Sequence, residues 1–178
     1  MSDATESSAR ISASSGTRSA VLAKAQALGL NLPDDLQRLA VARGCNYYVV
    51  EGGPLPPANL RFTNEELAVA LLSAAVPPEP QNIRIAAAVL SSPDVDVSML
   101  AALAETEGCA GLVRYIAECG QKYEPTVIFW SDLLARLQEA KIPSGPLPHS
   151  TRFIEMTGMI RGQTGFFTHW IRPVSAKA

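Results

Sequence analysis

The tetrapeptide Gly-Pro-Leu-Pro occurs twice, at Gly53 to Pro56 and at Gly145 to Pro148, and each copy soon meets an Arg-Phe pair, Arg61-Phe62 and Arg152-Phe153. Segments of this kind act as stiff spacers between packed elements. Between the two copies lies a block of apolar sequence patterned for helices. The repeats therefore divide the chain into a leader, a helical core and a short tail.

At 178 residues the chain is long enough for one domain with a sizeable core and short for two. Hydrophobic residues make up 47% and charged residues 18%, as in ordinary globular proteins. The net charge is only -2, so bulk electrostatics favours neither nucleic acid nor membrane. Its distribution is uneven. From Arg61 to Ala140 five basic residues face eleven acidic ones, a balance of -6, whereas Lys141 to Ala178 holds five basic residues and one acid, a balance of +4. An acidic body carries a basic tail.

Cys45, Cys109 and Cys119 are odd in number and lack framework spacing, which argues against a disulfide-stapled secreted fold. The first residues lack the apolar run of a secretory signal. The longest apolar stretches, Leu67 to Val76 and Ile83 to Leu90, are too short to span a bilayer. These features lead to a cytoplasmic protein with no membrane contact and no cofactor.

Met1 to Gly16 is rich in Ser, Ala and Thr, and its composition predicts a flexible leader. Residues 17–178 then form a single helical domain. Thr17 is placed to cap a helix that runs through Leu28 and stops at Gly29. Pro33 suits the first turn of a second helix, with Leu36, Leu39 and Ala40 on one face and Gly44 as its stop. Tyr47 to Val50 is a short strand candidate.

The core spans residues 63–140. Thr63 and Glu66 have the spacing of a capping box. The helix they open, Asn64 to Ala75, is apolar nearly all round and so should be central. A second helix is expected near Pro80 to Leu90, a third after Asp96 and a fourth near Ala110 to Gln121. These four form two antiparallel hairpins, with a last helix ending near Ala140 and burying Trp130, Leu133, Leu134 and Leu137. The tail, residues 149–173, changes character: Arg152 to Met159 and Phe166 to Arg172 read as a β-hairpin. The fold class is mainly α, a compact bundle of helical hairpins with a small C-terminal antiparallel β-hairpin.

Few residues suggest chemistry. Leu103 to Cys109 resembles the middle of a helix-turn-helix, but Glu107 and Arg114 fall where apolar residues are usual, so a plain turn between helices is the better account. Cys109 opens a helix, where the dipole and free N–H groups favour a thiolate, which makes it the reactive-thiol candidate, with His149 or His169 as a base. The cysteines and histidines lack the paired spacing of a zinc site, and Asp94 and Asp96 lack the rest of a calcium loop. The tail interleaves Phe153, Phe166, Phe167 and Trp170 with cations, the mixture that single-stranded nucleic acid binders use.

The sequence thus favours a non-enzymatic adaptor or subunit with a protein partner, bound through Arg152, Arg161, His169, Trp170 and Arg172. A nucleic-acid binder using the same basic tail is the first alternative, and a cysteine-dependent enzyme using Cys109 the second.

Overall fold

A computed structural model describes residues 19–45, 54–75, 79–159 and 166–174. The leader, the Tyr47 to Val50 strand candidate and Arg161 lie outside these residues. Among them are seven helices: α1 (Ala20–Ala27), α2 (Asp34–Ala42), α3 (Asn64–Leu72), α4 (Pro80–Leu90), α5 (Val97–Thr106), α6 (Ala110–Tyr123) and α7 (Ile128–Arg136). A 3-10 turn, Ser150–Phe153, leads into β1 (Ile154–Met159), which pairs antiparallel with β2 (Phe166–Trp170). The chain is mainly α with a C-terminal β-hairpin, as its patterning implies.

Local chemistry fixes most helix ends. Thr63 accepts from the Glu66 amide, and the Glu66 carboxylate accepts from the Thr63 amide at 2.9 Å, completing the capping box of α3. Asp96 caps α5 by accepting from the Met99 amide at 2.7 Å. Pro80 occupies the first position of α4, where a missing N–H costs nothing. Gly29, Gly44 and Gly108, just past three helix ends, take φ of 82°, 96° and 71°, the left-handed cap conformation that side chains disfavour.

Helix α3 is the centre of the bundle. Every residue from Leu67 to Leu72 is buried, against α4 and α5 on one side and α1 and α2 on the other. One expectation needs correction. Helix α6 packs chiefly on α7 and only lightly on α5, so α5 and α6 do not form a tight hairpin. Helix α2 is deeply seated, since Leu36, Leu39 and Ala40 are fully buried.

Both Arg-Phe pairs behave alike. Phe62 and Phe153 are buried while Arg61 and Arg152 are exposed, so each proline-rich connector is plugged into the core by its phenylalanine. One polar side chain ties down each connector. Arg43 donates to the carbonyls of Ala58, Leu60 and Phe62. The Tyr115 hydroxyl donates to the Pro148 carbonyl at 2.6 Å.

The hairpin is part of the core, not an appended ribbon. Trp170 stacks on Phe153 with ring centroids 5.5 Å apart and meets Trp130 at 4.9 Å. Its indole N–H donates to the Ala87 carbonyl of α4 at 3.1 Å. Beyond β2, the Val174 amide donates to the Gly44 carbonyl at 2.9 Å, which joins the tail to the end of α2.

Candidate functional site

The basic tail is the first site to examine, because the charge asymmetry points to it. Its predicted binding residues are not all at the surface. Trp170 is fully buried, so its ring packs in the protein interior and offers no face to a partner. Arg172 forms an ion pair with Glu124 and also reaches the Ser91 carbonyl. His169 lies 3.0 Å from Glu155, its cross-strand neighbour. Arg152 is exposed on the 3-10 turn. The positive charge of Arg172 therefore meets an acid of the protein itself.

Glu124 was not singled out by any spacing in the sequence, yet it is the hinge of this region. One carboxylate oxygen meets Arg172 and the other accepts the indole N–H of Trp130 at 2.9 Å. A single acid thus holds the tail and α7 together.

The thiols are the second candidate. Cys109 does open α6, but burial pushes its thiol up to about 12, and the nearby Glu107 carboxylate pushes the same way. The shift is opposite to the lowering expected at a helix start, because loss of solvent around the thiolate outweighs the helix dipole. Burial also raises Cys45 to about 12 and moves Cys119 upward. All three cysteines are free and buried. His149, a suggested base, is engaged locally, with Nδ1 2.9 Å from Thr151 Oγ1.

The helix-turn-helix resemblance resolves into structural contacts. Glu107 is buried and accepts from the Val21 amide of α1 at 3.1 Å. Arg114 turns onto the segment just past α7, donating to the carbonyls of Gln138 at 2.6 Å and Ala140 at 2.8 Å. Among the described residues, no three His, Cys, Asp or Glu side chains are grouped to hold a metal ion, and no helix is long and apolar enough to cross a membrane.

A concavity lies elsewhere, where the end of α2, the start of α3 and the α4–α5 turn meet. It is an open cleft of about 700 Å³ with Phe62, Pro93 and Pro173 in its walls and Met99 at its edge. Its polar residues are Arg43, Thr63, Asn64, Glu65, Ser92 and Asp94. Arg43 is turned onto the connector carbonyls and onto Asn64 Oδ1 at 2.8 Å. Burial lowers the Arg43 pKa, while Asp94 works in the opposite sense. The Asn64 amide spans both oxygens of Asp94 at 3.0 and 3.1 Å. Glu65 is buried and accepts from the Asp96 amide at 2.6 Å. Of its charged groups, Glu65 is buried, Arg43 is half-buried and Asp94 is exposed. No sequence motif marked this cleft, because its walls come from segments far apart in the chain.

Comparison with known proteins finds no counterpart: no family model, curated protein or solved structure matches the chain.

Proposed function

We propose that the protein is a non-enzymatic adaptor or subunit that receives a polypeptide segment of a partner protein in the cleft between α2, α3 and the α4–α5 turn. The observation that carries this reading is the make-up of the cleft. Its walls are largely apolar, it is open to solvent, and Met99 at its edge remains 39% exposed. Methionine is flexible and polarizable and suits contact with varied side chains. Arg43, Asn64, Glu65 and Asp94 are engaged with one another or with backbone, as a scaffold for a groove requires. With Asp94 as the exposed charge, the favoured segment carries Lys or Arg beside its apolar contacts. A cytoplasmic setting accords with three unpaired cysteines.

The nucleic-acid reading of the tail is weaker than its composition suggests, since Arg172 and His169 face Glu124 and Glu155.

The test is a photo-crosslinking amino acid at position 99, used in the native host to identify a partner by mass spectrometry. Binding of that purified partner is then measured with the wild-type protein and with Met99→Asp and Asp94→Lys. Met99→Asp, an exposed change, should alter stability by less than about 0.5 kcal/mol. Asp94→Lys also removes the acceptor of Asn64, so its binding is compared only if it keeps the wild-type circular dichroism. A loss of affinity in folded variants supports the cleft. Normal binding by the folded variants overturns it.

A further inference from the structure

A second cavity, separate from the cleft, lies where the exit of α3, the first turn of α6 and the second proline-rich connector come together. It is a half-open pocket of about 230 Å³. Its inner wall is formed by Leu72, Ser73 and Cys109, all buried, with the half-buried Leu112 beside them. Its outer wall is the connector, from Pro143 to Leu147.

The connector is seated firmly at one edge. A β-carbon on Gly111 would lie 2.0 Å from the Lys141 carbonyl oxygen, so the strap rests directly on the α6 backbone, an approach only glycine permits. Pro143 lies against the same spot, its Cδ 3.2 Å from that β-carbon, and Pro143 to Pro146 are exposed. The pocket is thus walled on one side by a single exposed length of chain.

The chemistry of the lining is neutral. Cys109 keeps its proton because burial raises its pKa to about 12. Ser73 Oγ accepts from the Ala75 amide at 3.3 Å and so already has a partner. Lys141, the one charged residue in the lining, is exposed. An apolar cavity of roughly 150 Å³ admits benzene, and this half-open pocket has room for a ring of that size.

We infer that the cavity beneath the 143–147 connector is a binding site for a small, neutral, apolar compound, a single ring or a short branched chain. The connector acts as its outer wall, and its prolines keep that wall from collapsing onto the inner one. This inference is independent of the cleft and of any protein partner.

The experiment uses the full chain with labelled leucine methyl groups and two probes, benzene and indole. Addition of either should shift the Leu72, Leu112 and Leu147 methyl resonances in a saturable way and leave Leu36 and Leu39 in place. Native-state alkylation of Cys109 should slow in parallel. Leu112→Trp and Ala74→Leu, the latter at another lining position, are two independent ways to crowd the pocket. A variant that keeps the wild-type circular dichroism should bind the probes roughly tenfold more weakly or worse. The inference is overturned if neither probe shifts these methyls, if shifts spread over the whole core, or if a folded crowded variant binds as the wild type does. Should both variants fail to fold, unchanged Cys109 alkylation at saturating probe in the wild-type protein overturns it equally.

Discussion

Gly120 and Trp130 are fitted to each other: a β-carbon on Gly120 would lie 2.3 Å from Cδ2 of the Trp130 indole. In an exposed helix, replacing Gly by Ala stabilises by about 0.5–1 kcal/mol. Here the indole occupies the space, and overpacking costs about 1–3 kcal/mol. Gly120→Ala is therefore expected to lower stability in urea titration, against the helix propensity. Trp130→Phe combined with Gly120→Ala should recover part of the loss, which a double-mutant cycle would detect.

Glu124 predicts a coupled loss. Glu124→Gln removes the charge that faces Arg172 and weakens the acceptor of the Trp130 indole. Hydrogen bonds to charged groups contribute about 1.5–3 kcal/mol, and half-exposure of Arg172 brings the expectation to the lower end. Tryptophan fluorescence and circular dichroism should report the same midpoint. Separate midpoints would show that the hairpin detaches on its own.

Glu107 closes the start of α1 from 86 residues away in the chain. Loss of a helix N-terminal cap typically costs about 1 kcal/mol. Glu107→Ala should cost a similar amount and speed hydrogen exchange at the Val21 amide. Exchange rates in α6 beyond its first turn should not change. Uniform acceleration throughout the protein would argue against a local capping role.

The thiols set an alkaline limit. The folded-state values for Cys45 and Cys109 are raised from 9.0 to about 12. A group raised in this way contributes stability that is complete below its unfolded value and is lost as pH climbs toward the folded one. Stability should accordingly fall between pH 9.0 and about 12. The fall should be shallower in Cys45→Ala, measured by urea midpoints across that range. Alkylation near pH 7 should be slow for all three thiols in the folded protein and fast after denaturation.

What could be read in the sequence was local. The capping box of Thr63 and Glu66, the proline that opens α4 and the glycine stops each act within a turn of the residues that signal them. The apolar run of α3 placed it at the centre because a helix without a polar face has no solvent side. Contacts made across the chain were not legible. Nothing in α2 marks Arg43 as the clamp of residues 58–62, and nothing near Glu124 announces both Arg172 and Trp130. The alternation in the hairpin was imperfect, so the depth of Trp170 was hidden. The β-branched and aromatic run from Thr126 to Trp130 obscured the start of α7, which begins at Ile128 and packs Trp130 across Gly120. Tertiary fit there outweighs local propensity.

The position of Trp170 in the core has a consequence for how the chain is made. Synthesis proceeds from the N-terminus, and helices emerge and pair before later segments exist. The faces of Trp130 and α4 that receive the Trp170 ring are complete some forty residues before that ring leaves the ribosome, as the spacing from Trp130 to Trp170 dictates. Until then the nascent bundle presents an open aromatic seam. A message truncated between Trp130 and Trp170 would yield a sticky, unsealed product, a natural client for chaperones and proteases.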